Sequence, residues 1–203
     1  MNYRLAYRMG FHPWEDAQRQ TPFLESISAL MDREEAANPA RGPALDLGTG
    51  SGIWAVWLAQ RGWEVTAVDL VEKALERARQ RVRDEGVEVR IVSGDVTDLR
   101  SAGAGSDYHL FLDTGTFHGL SADQRSAMAN EVSAAAAPGA TLLMLAWAPR
   151  HRGPFPRGAD LNALEAAFPG WDVSDEGPTG FSAPPPVELL LRPRERWYRL
   201  SRG

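Results

Sequence analysis

Hydrophobic and polar positions along the chain alternate between two periods. Short apolar runs, of which Pro43–Leu47 is the first, have the composition of buried strands, and most are followed by apolar residues three or four positions apart. Ala74, Ala78 and Val82 show this helical spacing, and Gly86 ends the helix that they predict. Alternating strands and helices predict an α/β fold with a doubly wound, largely parallel sheet and helices on both of its faces.

The predicted strands share short lengths and boundaries rich in glycine, proline and aspartate. They are Pro43–Leu47, Trp63–Asp69, Val87–Val92, Tyr108–Leu112, Ala140–Ala148, Trp171–Ser174 and Arg196–Ser201, with Val187–Leu191 as a further extended segment. Ser121 and Gln124 form a capping box at the start of a helix that runs to about Ala137. Because such sheets bind ligands beyond the carboxyl ends of their strands, residues at these ends are the candidates for a functional site.

A chain of 203 residues suffices for one domain, and its composition is that of a globular protein. We divide residues 1–203 into an N-terminal helical cap or lid over 1–40, a ligand-binding core over 43–148, and a substrate-side loop with C-terminal strands over 149–203. The cap, with a helical stretch around Pro22–Met31, is predicted to lie over the carboxyl edge of the sheet.

Charge and cysteine content narrow the functional classes. The net charge is −5, which argues against nucleic acid as a partner. The chain has no cysteine, so disulfides, cysteine-ligated metals and a cysteine nucleophile are excluded; no metal site is predicted. Arg4 and Arg8 interrupt the N-terminus, which is therefore not a signal peptide, and no apolar run reaches the roughly 18 residues of a membrane span. We expect a cytoplasmic protein without a membrane partner.

The sequence ALDLGTGSG at residues 44–52 joins the first strand to a helix through a glycine turn. A dinucleotide site would have a third glycine at the position of Ile53. Asp46, two residues before the turn, has the wrong charge for a pyrophosphate and suits a ligand with an ammonium or sulfonium group. Glycines in the turn would let the backbone approach that ligand closely.

Acidic residues also follow the second and third strands. Asp69 is placed to accept hydrogen bonds from ribose hydroxyls, which a nicotinamide cofactor would need as well. Asp95 can accept a hydrogen bond from an adenine amino group while the Val96 backbone N–H donates to a ring nitrogen. This second contact favours an adenosine ligand with a cationic tail over a dinucleotide.

At these residues the chain resembles the class I S-adenosylmethionine-dependent methyltransferases, over about residues 43–148. The resemblance rests on ALDLGTGSG, AVDL, GDV and DTGTFHGL in this order. It implies a Rossmann-like seven-stranded sheet whose last strand is antiparallel, with S-adenosylmethionine as cofactor and S-adenosylhomocysteine as product. It also implies the residues that bind the cofactor, which are Asp46, Leu47, Gly48, Thr49, Gly50 and Gly52 for the methionine part, Asp69 and Leu70 for the ribose, Asp95 and Val96 for the adenine, and Asp113 at the end of the fourth strand.

Two residues are candidate bases. His118 follows the fourth strand and is predicted to face the methyl group, unless it only supports the next turn; Asp113 is a base or a turn-forming carboxylate. The candidates for acceptor contacts are aromatic, hydroxyl or basic residues near the same edge, each of which has ordinary packing or a solvated surface as its alternative role: His12, Trp14, Thr116, Phe117, Trp147 and Arg152.

The acceptor is predicted to be a small molecule that receives the methyl group on O, N or S by in-line displacement, with the protein mainly aligning the two reactants. DTGTFHGL is similar to the corresponding stretch of small bacterial methyltransferases of the tellurite-resistance and thiopurine type and of some lysine methyltransferases. The absence of a DPPY-like sequence there argues against adenine N6. Four alternatives stay open. The first two are base-independent transfer to a thiol, halide or metalloid and a lysine methyltransferase. The others are a cofactor-binding protein without transfer activity and a nicotinamide-dependent reductase. Monomer and homodimer both stay open.

Overall fold

The computed structural model describes residues 19–150, 157–183 and 194–203. Seven strands and five α-helices alternate along this part of the chain. The strands are β1 Pro43–Leu47, β2 Glu64–Asp69, β3 Val89–Ser93, β4 Tyr108–Asp113, β5 Ala136–Trp147, β6 Trp171–Pro178 and β7 Glu195–Arg202. The helices are α1 Thr21–Ala37, α2 Ile53–Gln60, α3 Glu72–Glu85, α4 Ala122–Ala135 and α5 Leu161–Ala167, and a short 3₁₀ helix spans Phe117–Gly119.

The seven strands form one sheet in the order β3-β2-β1-β4-β5-β7-β6. β1 to β5 pair in parallel, and β7 is antiparallel to both β5 and β6. The predicted seven-stranded sheet with an antiparallel last strand is thus confirmed. The strand order reverses between β1 and β4, so their carboxyl ends border the crevice where sheets of this kind bind ligands.

The junction between α4 and β5 differs from the prediction. The capping box of Ser121 and Gln124 is present, but α4 ends at Ala135 and β5 begins at the next residue. The pairing with β4 shifts between Tyr108↔Ala136 and Leu110↔Thr141, next to Gly139 with its φ of +73°. An irregular strand start of this kind is a bulge, and the proline and glycine that suggested a turn are accommodated inside it.

The two faces of the sheet carry separate apolar clusters. α1 and α2 cover one face with Ile27, Trp54 and Leu58, while α4 and α5 cover the other with Met128 and Phe168. α3 packs beside α2 and against β2 and β3. None of the helices in the described ranges is long and apolar enough to cross a membrane.

The N-terminal region corrects the predicted cap. Residues 1–18, and with them His12 and Trp14, lie outside the described residues. α1 packs on a face of the sheet instead of covering its carboxyl edge, because Phe23, Ile27 and Met31 are buried in the apolar cluster shared with α2. Glu34, which is 2% exposed, accepts a hydrogen bond from Arg199 Nε of β7 at 2.5 Å. α1 is therefore part of the core.

Candidate cofactor and acceptor site

The glycine turn between β1 and α2 is held by backbone hydrogen bonds and by close packing. The N–H groups of Gly48 and Thr49 both donate to Val68 O at 2.9 Å. Gly48 has φ +72°, and a Cβ there would overlap Thr116 Oγ1. A Cβ on Gly52, with φ +78°, would lie 2.9 Å from Ala78 Cβ. The protein itself fills the space that a Cβ on either glycine would need, and the close approach of the ligand to this turn stays a prediction.

Asp46 is buried at the end of β1, with 1% of its surface exposed. Its Oδ2 accepts a hydrogen bond from Thr49 Oγ1 at 2.5 Å, whereas Oδ1 has no hydrogen-bond partner among the described residues. Burial raises the pKa of this carboxyl to about 7, with a smaller contribution from the carboxylates of Asp113 and Asp69 and against the opposing hydrogen bond of Thr49. A buried acceptor oxygen without a donor fits the ammonium group of an amino-acid cofactor.

Asp69 ends β2 at the other side of the turn. Its Oδ2 accepts the Gly50 N–H at 2.8 Å and its Oδ1 accepts the Val71 N–H at 2.8 Å. Each carboxylate oxygen keeps a second lone pair, so both remain able to receive ribose hydroxyls. Leu70 beside it is 49% exposed and is the one exposed large apolar side chain in the described ranges. This pair combines a polar anchor with an apolar surface that fits an adenosine group.

Asp95 follows β3 in a tight local turn. Its Oδ1 accepts both the backbone N–H and the hydroxyl of Thr97, at 2.9 and 2.7 Å. This fixes the carboxylate and leaves Oδ2 for another donor. Neither the turn nor any described side chain offers an acceptor to the Val96 N–H. A free acceptor next to a free donor matches the amino group and the ring nitrogen of adenine.

Asp113 is occupied by the turn that follows β4. It is fully buried; its Oδ1 accepts the N–H groups of Gly115 and Thr116 at 2.8 and 2.6 Å, and its Oδ2 accepts that of Phe117 at 2.9 Å. Burial raises the pKa of this carboxyl to about 6, opposed by these three donors. Three backbone donors thus give Asp113 a role in shaping the turn after β4, and its roles as a base and as a cofactor ligand stay predictions.

His118 is also fully buried, within the 3₁₀ helix. Its Nδ1 accepts the backbone N–H of Trp147 at 3.3 Å, and its ring stacks on the Trp147 indole with centroids 5.3 Å apart. An imidazole that accepts through Nδ1 carries its proton on Nε2 when neutral. This geometry gives His118 a supporting role between β4 and β5, and its role as the base stays a prediction.

The remaining predicted acceptor residues differ in where the structure places them. Phe117 is fully buried, packs on Phe168 at 5.7 Å and belongs to the core, which corrects its assignment to the acceptor wall. Thr116 Oγ1 donates to Leu47 O at 3.0 Å and ties the two central strands together at the site. Trp147 lies at the predicted edge and donates its indole N–H to Glu195 Oε1 at 2.9 Å. Arg152 lies outside the described residues.

Two residues at this edge were missed by the sequence analysis. Arg125 of α4 donates to His118 O at 3.0 Å and to Gly158 O at 2.6 Å, so it joins the turn after β4 to the loop after β5. Glu195 is 7% exposed and holds Trp147. The capping box was a usable signal for Arg125, because it fixes that residue in the first turn of α4. Glu195 stands between Arg194 and Arg196, just before the predicted strand Arg196–Ser201, so its sequence context gave no signal.

The described residues contain no group of histidine, aspartate and glutamate side chains arranged to hold a metal ion. Acidic side chains from β1, β2 and β3 instead line one edge of the sheet, with a free acceptor at Asp46 and a free acceptor and donor at Asp95 and Val96. This arrangement can bind an adenosine group at one end and a cation at the other, and it holds the ligand by hydrogen bonds without itself supplying a reactive group.

Comparisons with known proteins agree with this site. A model of the methyltransferase domain family matches residues 44–139. The chain is 27% identical over 172 residues to 2-heptyl-1-hydroxyquinolin-4(1H)-one methyltransferase from Mycobacteroides abscessus, covering 82% of this chain and 71% of that protein. It shares a fold, with a TM-score of 0.72 and 13% identity, with an S-adenosylmethionine-dependent methyltransferase from Clostridium acetobutylicum, over 98% of this chain and 99% of that one.

A third similar protein was solved with ligands. It is 1,6-didemethyltoxoflavin-N1-methyltransferase from Burkholderia thailandensis, with bound 1,6-didemethyltoxoflavin and S-adenosylhomocysteine. Its TM-score is 0.67 at 18% identity, over 98% of this chain and 84% of that one. Together the fold, the family match and these relatives confirm the resemblance in the sequence and set aside a nicotinamide cofactor. The chain carries a methyltransferase domain over residues 44–139 on the fold of the class I S-adenosylmethionine-dependent methyltransferases, and S-adenosylmethionine is its cofactor.

Proposed function

We propose that this enzyme methylates O or N of a small planar acceptor whose lone pair is available before it binds, such as an ionised acidic hydroxyl or a heteroaromatic nitrogen. S-adenosylmethionine supplies a methyl group on a sulfonium, which is electrophilic without help from the protein. The chain then has to hold the acceptor in line with that methyl and keep bulk water away. A proton acceptor is needed only for an acceptor that is still protonated at the moment of attack.

The observation that carries this proposal is that both candidate bases, Asp113 and His118, already accept hydrogen bonds from the backbone. Backbone N–H groups engage both oxygens of Asp113 and the Nδ1 atom of His118. Neither side chain could take a proton from an acceptor without breaking the turn after β4 or its link to β5. This favours an acceptor that arrives deprotonated or carries a neutral lone pair. A thiolate meets the same requirement and therefore belongs in the acceptor screen.

The surroundings of the acceptor edge support an aromatic molecule. Trp147 lies at the carboxyl end of β5 with its indole plane fixed on one side by His118 and its N–H by Glu195. Two similar proteins act, by their names, on a hydroxyquinolinone and at N1 of didemethyltoxoflavin. Trp147 is only 5% exposed, so it could offer such an acceptor a narrow edge of its indole, and apolar burial would hold the rest of a flat ring.

The first experiment is an acceptor screen by mass spectrometry with S-adenosylmethionine. The panel contains 2-heptyl-1-hydroxyquinolin-4(1H)-one, simple phenols, nitrogen heterocycles and thiols. A methylated hydroxyl or heterocycle supports the proposal. Product only on thiols would move the acceptor atom to sulfur, and cofactor binding with no product on any acceptor would favour a protein without transfer activity.

The decisive variant is His118→Asn, tested on whichever acceptor is methylated. The asparagine side-chain oxygen can replace Nδ1 as acceptor for the Trp147 N–H but cannot titrate. We expect kcat to stay within about threefold of the wild type, since loss of a true general base costs roughly 10²–10⁴-fold. His118→Gln is the matched control, because its longer side chain does not offer an acceptor at that place; it should lower Tm. A hundredfold fall of kcat in His118→Asn at unchanged Tm would restore His118 as the base.

A further inference from the structure

The ends of the three central strands β1, β2 and β4 hold three buried or half-buried carboxyl groups, those of Asp46, Asp69 and Asp113. The strands are neighbours in the sheet, and Asp46 lies opposite Ala67 of β2 and Leu112 of β4. Within the described ranges no ion pair includes any of the three, and no cationic side chain contributes to their pKa values. The carboxyl groups at this edge therefore have no counter-charge from the described residues.

Of these three carboxyl groups, that of Asp46 has the fewest hydrogen-bond donors. Asp113 has three backbone donors and Asp69 has two, while Asp46 has the Thr49 hydroxyl on one oxygen and none on the other. Asp46 otherwise adjoins the first turn of α2. The Ala55 backbone N–H there lowers the pKa of Asp46, and the side chains from Ile53 to Val56 are apolar and buried. An ionised carboxylate in such a place lacks both solvent and a cation.

We propose that Asp46 is protonated in much of the ligand-free protein at and just below neutral pH, and that it gives up this proton to solvent when the ammonium group of S-adenosylmethionine binds. The neutral carboxyl is the form that burial and two neighbouring carboxylates favour in the free protein. The bound ammonium supplies the missing positive charge and a donor for Oδ1. The exchange is balanced, since one proton leaves the carboxyl, the ammonium keeps all of its own, and a salt bridge replaces the O–H group.

The direction of the pH effect follows from this exchange. Burial and the adjacent acids raise the pKa of Asp46 to about 7 in the free protein, whereas the complex requires the ionised form. Cofactor binding must therefore weaken as the pH falls below that value. For one such proton, Kd should rise by about tenfold between pH 8 and pH 6. Asp69 can add to the same trend, because burial also raises its pKa, so the assignment to Asp46 requires variants.

The test is isothermal titration calorimetry of the whole chain with S-adenosylhomocysteine at pH 6.5, in buffers with different ionisation enthalpies. We expect the wild type to release more than about half a proton per ligand, as a single group with a pKa near 7 requires. 5′-Methylthioadenosine is the matched ligand, because it has the adenosine and lacks the amino-acid group; it should release little or none. Equal proton release with both ligands would overturn the proposal.

Two variants assign the proton. Asp46→Asn keeps an acceptor for Thr49 but cannot ionise, so it should bind S-adenosylhomocysteine more weakly at pH 7.5 and release no proton. Asp95→Asn removes a carboxylate at the adenine end and should weaken binding while leaving the proton release unchanged. Full release in Asp46→Asn would overturn the proposal. If wild-type protein bound neither S-adenosylmethionine nor S-adenosylhomocysteine, the cofactor assignment itself would fail, which is a separate result.

An infrared spectrum of the ligand-free protein tests the same claim without binding. A protonated carboxyl has a C=O band that is distinct from the carboxylate bands. The wild type at pH 6 should show such a band that Asp46→Asn lacks and that disappears when S-adenosylhomocysteine is added. The proposal is wrong if the two proteins have the same carboxyl bands at that pH.

Discussion

At the scale of single residues, Asp69 has two tasks at once. It holds the glycine turn through the Gly50 N–H and its own next turn through the Val71 N–H, and its remaining lone pairs can accept the proposed ribose hydroxyls. The first task can be separated from the second by a ligand that lacks a hydroxyl. This makes Asp69 a test of the cofactor assignment that does not depend on the acceptor.

We expect Asp69→Asn to weaken S-adenosylhomocysteine binding by about 1–3 kcal/mol, because a charge-assisted hydrogen bond is replaced by a weaker or mismatched one. Calorimetry gives Kd, and thermal unfolding shows whether the turn survives. A 2′-deoxy analogue of the ligand is the control. It should bind the wild type more weakly and show little further loss with the variant, and an unchanged Kd for S-adenosylhomocysteine would remove Asp69 from the ribose site.

Sequence alone could place the carboxylates of the cofactor site but not their orientation. Asp46, Asp69 and Asp95 follow strands, and the carboxyl ends of parallel strands meet at one edge, so their proximity follows from the pattern. The role of His118 depends on the backbone N–H of Trp147, 29 residues further along the chain, and that contact exists only after β4 and β5 pair. Partners of this kind are set by tertiary structure and leave no local signal.

At the scale of elements, α1 is joined to the C-terminal strands by two ion pairs of different burial. Glu34, 2% exposed, meets Arg199 of β7, whereas Arg33 is 55% exposed and meets Glu176 of β6 at 2.7 Å. Arg199 also donates to Thr141 of β5. The buried pair thus connects α1 to the middle of the sheet, and the exposed pair lies in solvent where side-chain entropy and screening reduce its value.

We expect Glu34→Gln to lower the free energy of unfolding by about 3 kcal/mol, since it leaves the Arg199 charge partly buried without its partner. Arg33→Gln breaks the exposed pair on the same helix and should cost less than about 1 kcal/mol. Urea unfolding at pH 7 measures both. Similar losses in the two variants would mean that the burial of Glu34 does not determine how α1 is held.

The strands were easier to predict than the position of α1. Their apolar runs and the glycines or aspartates that bound them are local features, and β1, β2 and β4 have nearly their predicted limits. The helical spacing near Pro22–Met31 also predicted a helix. Which face that helix would cover depended on Phe23 meeting Trp54 and Trp197, at 5.6 Å in both cases, and on a salt bridge to the other end of the chain. Contacts over such separations cannot be inferred from periodicity.

At the scale of the whole molecule, the acidic edge couples stability to pH in a direction opposite to most surface acids. Asp46 and Asp113 have pKa values raised by burial to about 7 and about 6, so the folded protein binds protons that the unfolded chain has lost. Stability therefore falls as the pH rises from about 4 to 7. Arg196 lowers the pKa of Asp175, and Ser174 with Arg33 lowers that of Glu176, which adds stability that is lost only at lower pH.

The ligand-free protein should therefore have a Tm about 5–10 °C lower at pH 8 than at pH 5.5, as the two raised pKa values imply for a chain of this size. Asp46→Asn should be more stable than the wild type at pH 8, because it removes a buried charge, and its Tm should change less over the same range. Saturating S-adenosylhomocysteine should stabilise the wild type most at pH 8, where Asp46 is ionised and ready for the ammonium. A Tm that rises with pH in the free protein would mean that these carboxyls already have a cationic partner. The site would then be complete before the cofactor binds, and its affinity would be independent of Asp46 protonation.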